Sequence, residues 1–390
     1  MTDNESTQFP LVKLGFAANA KSEWVALIVR VSLVDTDESQ ALHSVFGTPD
    51  LLAAVAPLDC ILLLDSPDVL SSSLLSLMPA KRVGFSIDAG VLAHDEGRAQ
   101  LLALHAKGYR ILLDGAVPAG CAVPPELRAV AHDCGATVPV KDLASQFGPH
   151  LAREIGSGVR LAECASAGFD WFSGDYPLSP LLSGDASDGT SRKRLLALLG
   201  LLARDAESRE LELMLKQDPA LSFHLLKLVN SAAFALSTPI SSFGQAISVL
   251  GRRQLQRWLQ LLLYARGQAD GGVNPLLGLA ALRAAQLEAL CKVQGGQRDD
   301  QDMAFMTGVF SLLDVLFEVP MDDIVSALNL ARSAARALVA REGQLGALLQ
   351  LVASGDPTLA ILDAAGITPV QWWSSQLHAY HWAIQVSRNL

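Results

Sequence analysis

The chain has 390 residues, of which 50% are hydrophobic and only 18% charged, and its formal net charge is −10. With a mean hydropathy of +0.30, that composition excludes a disordered, collagen-like or coiled-coil chain, and the length suits two domains rather than one. No window reaches the roughly 18 uninterrupted apolar residues of a spanning helix. The apolar stretches Leu195–Ala203 and Leu259–Ala265 are short and bounded by Arg, Lys or Gln. Met1–Thr7 is polar and acidic, so no secretory leader or membrane insertion is expected. The charge is uneven: residues 1–180 hold 12 Lys and Arg against 21 Asp and Glu, and residues 181–390 hold 18 against 19. Neither half is basic, which argues against nucleic acid or an anionic membrane as a bulk electrostatic partner.

In chain order, residues 1–180 alternate short apolar runs with amphipathic stretches. Strands are expected at Trp24–Val31, Cys60–Leu64, Arg82–Ile87, Arg110–Asp114, Thr137–Val140 and Phe169–Phe172, with helices between them such as Gly97–Lys107, stopped by Gly108. The repeated order implies a mainly parallel sheet, open or closed into a barrel. Residues 181–192 are rich in Gly, Ser and Asp and read as a linker. Beyond it the periodicity is helical: Glu207–Lys216, a helix started by the cap and proline of Asp218-Pro219, Ser242–Leu250, Arg252–Arg266, Pro275–Val293, Gln301–Phe317, Gln344–Ser354, and a last helix near Val370–Arg388. This half reads as one all-helical domain.

Several candidate strand ends carry aspartate: Asp65, Asp88, Asp114 and Asp142. Hard cations take oxygen ligands, but aspartate is also a common turn and N-cap residue, and that plainer reading comes first. No G-x-G-x-x-G, Walker or G-x-S-x-G motif is present. The five cysteines (Cys60, Cys121, Cys134, Cys164 and Cys291) form no C-x-x-C pair and read as reduced thiols of a cytoplasmic protein. His224 reads as a structural histidine. His378 and His381 share a helix face, but Trp372, Trp373, Tyr380 and Trp382 surround them and further metal ligands do not, so packing is expected there rather than zinc. That aromatic group could also form a dimer contact.

Three stretches carry a family likeness: Trp24-Val-Ala-Leu-Ile-Val-Arg30, Gly108-Tyr-Arg-Ile-Leu-Leu-Asp114-Gly115, and Gly168-Phe-Asp-Trp-Phe-Ser-Gly174 through Pro180. Through them the region from Phe9 to Pro180 resembles an EAL domain, a barrel whose active members hydrolyse cyclic di-GMP with two metal ions. On that resemblance the signature Glu falls on Ala26, the metal-binding Asn on Leu63 or Leu64, and the next Glu on Ser86. Of the Asp-Asp pair only Asp114 remains, followed by Gly115. The catalytic Lys falls on His132 or Lys141, the late Glu near Arg153, and the closing Gln on Ser173. The resemblance therefore implies a degenerate site, with Asp114 its remnant and His132 and Lys141 as weak neighbours. The stretch from Lys141 to Gly168 looks too short for a full helix and strand, so an incomplete barrel is expected.

The helical half resembles an HDOD domain, a helical output domain related to HD phosphohydrolases. The residues that carry this are Asp218-Pro-Ala-Leu-Ser222, Leu225 through Asn230-Ser231-Ala232 to Phe234, Ile240 to Gly251, and Phe305 to Asp314. The resemblance makes Asn230 and Ser231 signature residues with a structural role. Ser311-Leu312 stands where HD enzymes carry their His-Asp pair, and Asp314 reads as a structural or partner-facing carboxylate.

The expected protein is thus α/β plus all-α: a degenerate, incomplete TIM-like EAL barrel at 1–180, a linker at 181–192 and an HDOD domain at 193–390. The resemblance implies a bacterial signalling pseudoenzyme acting through protein partners, with no catalytic residue, metal or cofactor. Two alternatives are a cyclic di-GMP receptor that does not hydrolyse its ligand, which the acidic first half suits poorly, and a residual metal-dependent phosphodiesterase using Asp114 with His132 or Lys141.

Overall fold

A computed structural model of the chain describes residues 9–32, 37–139, 147–179, 251–262, 274–328 and 330–389, with single positions 143, 197, 200, 201, 207, 210, 245 and 264 between them. The chain divides into two compact units, one gathering 1–179 with 358–363 and 368–377, the other 180–357 with 364–367 and 378–390.

In the first unit eight strands close a barrel in sequence order: β1 (Leu11–Ala18), β2 (Trp24–Ser32), β3 (Asp59–Leu64), β4 (Val83–Asp88), β5 (Arg110–Asp114), β6 (Val130–Asp133), β7 (Leu151–Arg153) and β8 (Trp171–Phe172). Strands β2 to β8 run parallel, and β1 is antiparallel to both of its neighbours, β2 and β8. Helices α1 (Glu38–Phe46), α2 (Asp50–Ala54), α3 (Ser72–Leu77) and α4 (Asp95–Ala106) lie on the connections from β2 to β5, and α5 (Gly158–Ser166) joins β7 to β8. Helix α4 ends where Gly108 takes a φ of +89°, a conformation that glycine adopts without steric cost.

Strand alternation sorts the side chains into two layers. Ala26, Ile28, Ile61, Leu112, Ala131 and Leu151 fill the barrel interior. Ala152 and Phe172 face outward into a second cluster with Cys134, Cys164, Phe169 and Tyr176. Burying a leucine or isoleucine in such a layer contributes about 2 kcal/mol.

The barrel is closed, which corrects the expectation of an incomplete one. The shortened segment is accommodated by trimming strands, to three residues in β7 and two in β8, and the connection from β5 to β6, residues 115–129, has no helix. None occurs among the described residues between β6 and β7 either. Closure depends on the interstrand ladder, so the strands persist while the outer helical layer thins. The sixth strand is Val130–Asp133, not Thr137–Val140: Thr137–Pro139 are irregular. The strand expected at Phe169–Phe172 begins two residues later.

The second unit is helical where it is described: α6 (Arg252–Leu261), α7 (Pro275–Val293), α8 (Arg298–Phe310), α9 (Leu313–Phe317), α10 (Met321–Leu328), α11 (Arg332–Ala340) and α12 (Gly343–Ser354), followed in the chain by α13 (Leu359–Ala364) and α14 (Pro369–Asn389). Asn274 caps α7 by accepting the Leu276 N–H at 3.0 Å, and Pro275 takes the first helical position. Helices α7 and α8 meet at Gly308, where a Cβ would stand 2.5 Å from the Ala284 Cα, so only glycine permits the approach. The single helix expected at Gln301–Phe317 is two. A capping box between Gln297 and Asp300 starts α8 earlier, and the chain breaks at Ser311-Leu312 before α9. Apart from single positions, the expected linker 181–192 and helices Glu207–Lys216 and Ser242–Leu250 lie outside the described residues. Among those residues, no helix is long and apolar enough to cross a membrane.

Candidate functional site

The carboxyl ends of the parallel strands form the barrel mouth, the usual place for chemistry in such folds. Alternation along β5 turns Leu112 and then Asp114 inward. On β4 the same parity brings in Ser86, which is 1% exposed, and on β7 it brings in Arg153. These three side chains meet. Arg153 donates from Nη2 to Asp114 Oδ1 at 2.6 Å, and Ser86 Oγ donates to Asp114 Oδ2 at 3.1 Å. The pair reaches across β6, which presents only Ala131 opposite Asp114. Both partners are largely withdrawn from water, with side chains 13% and 17% exposed.

Around this pair lies a recess of about 370 Å³, with Glu38, Asp65, Asp88 and Asp133 on its walls against Arg30 as the remaining cation. Burial, reinforced by Asp65 and Asp37, raises the Glu38 carboxyl above its ordinary value. Asp88 accepts the Gly90 N–H at 2.7 Å and caps the turn that follows β4, the role expected of a strand-end aspartate. Ala26 is fully buried in the interior layer. Of the two candidates on β3, Leu63 packs inward on that layer. The donor set at the mouth does not fit a pair of divalent cations. At the positions that the resemblance gives to metal ligands it offers one carboxylate already bound to a guanidinium, one hydroxyl and apolar side chains, and the other carboxylates of the recess stand apart on its walls. Among the described residues, no three His, Cys, Asp or Glu side chains gather closely enough to hold a metal ion.

His132 is not a neighbour of Asp114. Alternation on β6 turns Ala131 inward, so His132 faces out and meets the Phe169 ring edge-on at 6.2 Å. Lys141 and Asp142 lie outside the described residues. The contact at the mouth that sequence reasoning missed is Arg153 with Asp114. The only signal was a cationic residue near a position that the resemblance gives to a carboxylate.

In the helical unit, Ser311 ends α8 by donating from Oγ to the Gly308 carbonyl at 2.8 Å, and it accepts from Arg283 at 3.3 Å. Asp314 follows at the start of α9, with its Oδ1 buried and, among the described residues, without a hydrogen-bond partner. His378 is held below its ordinary value chiefly by burial, opposed by Glu288. His381 is exposed and pairs with Gln385 at 2.8 Å. Trp372, Trp373 and Tyr380 are buried, and Trp258 packs 4.8 Å from Trp382. A charge network that the sequence reading did not single out joins α6, α7 and α8. Arg253 bonds Asp302, and Arg257 bonds both Glu288 and Asp302 while covering the Phe305 ring at 4.6 Å. His224, Asn230 and Ser231 lie outside the described residues.

Comparison with known proteins adds three likenesses. The chain is 29% identical over 202 residues to the cyclic di-GMP phosphodiesterase CdgJ of Vibrio cholerae, covering 52% of this chain and 46% of that protein. It is 25% identical over 205 residues to the uncharacterized protein YuxH of Bacillus subtilis, covering 52% and 50%. The chain thus spans about half the length of the curated relatives it matches. Among solved structures, the calcium and cyclic di-GMP complex of BlrP1 from Klebsiella pneumoniae aligns at 14% identity with a TM-score of 0.33, over 45% of this chain and 56% of that one. The expected signature runs from Asp218 to Gly251 fall within a match to the HDOD domain family over residues 193–273, and the run from Phe305 to Asp314 lies beyond it. The chain carries an HDOD domain at residues 193–273.

Proposed function

We propose that this chain is a non-catalytic regulator in cyclic di-GMP signalling, in which a degenerate EAL-type barrel, unable to hydrolyse the dinucleotide, works with an HDOD output domain that contacts protein partners. One observation carries the reading: the ion pair of Arg153 with Asp114 at the barrel mouth. Two-metal hydrolysis needs several carboxylates around cations about 4 Å apart, to generate a hydroxide and stabilise the leaving oxygen. Here the remaining carboxylate is neutralised by a side chain of the protein itself, and a guanidinium stays charged at every accessible pH. A divalent cation at Asp114 would have to displace Arg153 from the carboxylate it already binds, and the two cations would repel one another at close range.

The regulatory role then rests on binding. A barrel without chemistry transmits a signal only if a ligand or protein binds two of its states with different affinity. The name of the Vibrio cholerae relative supports cyclic di-GMP signalling as the setting.

The test is hydrolysis of cyclic di-GMP by the full chain with Mg²⁺ or Mn²⁺. No turnover is expected. Turnover abolished by Asp114→Ala overturns the reading.

A further inference from the structure

At the opposite end of the barrel, where the strands begin, lies a larger recess of about 670 Å³, a size within the range of small-molecule sites. Its walls include the starts of β3, β4 and β5 and described parts of the connections that arrive at β6 and β7. The electrostatics of this foot run against those of its surroundings. Residues 1–180 hold 12 basic and 21 acidic side chains, yet four of the basic ones line this recess (Lys81, Arg82, Arg110 and Arg128) against two acidic ones. Among the described residues only Arg110 of these is neutralised directly, by Asp59 at 2.6 Å. Arg82 donates to the Leu52 and Leu58 carbonyls at 3.3 and 3.0 Å, which fixes its position without cancelling its charge. Among the described residues, Lys81, Arg82 and Arg128 have no carboxylate partner. Gathering like charges in one concavity is unfavourable unless an anion occupies it.

The same recess holds an aromatic platform. Phe147 is 78% exposed, an uncommon burden for a phenylalanine. Arg128, tied to the Pro125 carbonyl at 2.7 Å, lies over its ring at 5.9 Å. An arginine on one ring face leaves the other free to stack on a planar partner, and exposed aromatics beside cations are how proteins take up nucleobases with attached phosphates. A solvated basic patch alone would not need the ring, and an apolar contact alone would not need the cations.

The geometry points to a binding site for a nucleoside phosphate at the foot of the barrel, its base stacked on Phe147 and its phosphates held by Lys81, Arg82 and Arg128. The site is independent of the mouth and of the regulatory reading above. A ligand there leaves the Arg153–Asp114 pair untouched.

Calorimetry of the full chain with ADP, GDP, adenosine and pyrophosphate tests it. ADP or GDP is expected to bind at least about tenfold more tightly than adenosine or pyrophosphate, because only the nucleotides use both halves of the site. Arg128→Glu and Phe147→Ala should each weaken nucleotide binding about tenfold, and added salt should weaken it further. Both side chains are exposed, so the variants should keep the parent's circular dichroism and melting behaviour. Absence of nucleotide binding up to millimolar concentration overturns the proposal. Pyrophosphate binding as tightly as ADP, or nucleotide binding that survives both substitutions, does the same.

Discussion

At the mouth of the barrel the Arg153–Asp114 pair has side chains 13% and 17% exposed, whereas at the foot the Arg110–Asp59 pair has side chains 39% and 27% exposed. The bond length is the same, 2.6 Å, at both ends. The surroundings differ in sign as well as in wetness, with mainly carboxylates around the mouth and mainly cations around the foot. One fold has paired its buried charge at the end where barrel enzymes do chemistry and, among the described residues, left cations without carboxylate partners at the end that usually serves stability. An ion pair's value follows from its environment rather than its geometry, and the two ends provide an internal control for that statement.

The largest expected effect is at the mouth. Arg153→Ala leaves Asp114 buried with Ser86 as its remaining donor, and should destabilise the chain by about 2–4 kcal/mol in urea denaturation. The double variant Arg153→Met with Asp114→Leu should recover most of that loss, because two apolar side chains of similar volume remove the stranded charge. The same truncation at the foot, Arg110→Ala, loses a wetter pair and a contact over the Trp171 ring at 5.2 Å. It should cost about 1 kcal/mol. A foot variant that costs as much as the mouth variant breaks the comparison.

A smaller effect comes from pH. Because the folded Glu38 carboxyl titrates above its unfolded value, its contribution to stability is fully present below the unfolded value and is lost as pH rises through the folded one. Glu38→Gln should therefore stabilise the chain at neutral pH, by a few tenths of a kcal/mol after solvent screening, and flatten stability between pH 7 and the carboxylate range. Thermal melts across that interval check it. The smallest perturbation is chemical labelling. Burial pushes the Cys60 and Cys134 thiols up to about 12 and raises those of Cys164 and Cys291 as well, but Cys60, Cys134 and Cys164 are also closed off from solvent. A thiol reagent should therefore modify the partly exposed Cys121 and Cys291 in the folded chain and reach the other three only after unfolding.

The readable parts of this fold were those whose signal is local. Strands β2 to β5 are apolar runs of five to nine residues, and α7 announces itself through Asn274 and Pro275. Strands β6 and β7 have four and three residues, too few for alternation to register, and it is closure of the sheet that makes Val130–Asp133 a strand. Strand β1 alternates as far as Phe16, but its register with β2 shifts between Ala17 and Ala18 and the period ends there. The resemblance pointed to Arg153 as a departure at a carboxylate position, but nothing local pairs it with Asp114. The two residues lie on strands that are not neighbours, and the contact needs a small residue on the strand between them. The foot is invisible for a similar reason, since Lys81, Arg110, Arg128 and Phe147 come from separate segments that only the closed barrel gathers.

The reversed direction of β1 has a practical consequence for anyone handling this protein. Leu11 pairs with Ser32 and Ala18 with Trp24, so the chain comes into the barrel at the mouth and leaves β1 at the foot. Anything fused directly to Phe9 is therefore delivered to the acidic end. An affinity tag there, especially a histidine-rich one, would hang beside five carboxylates and distort measurements of metal or ligand uptake at that end, while leaving nucleotide titrations at the far end comparatively clean.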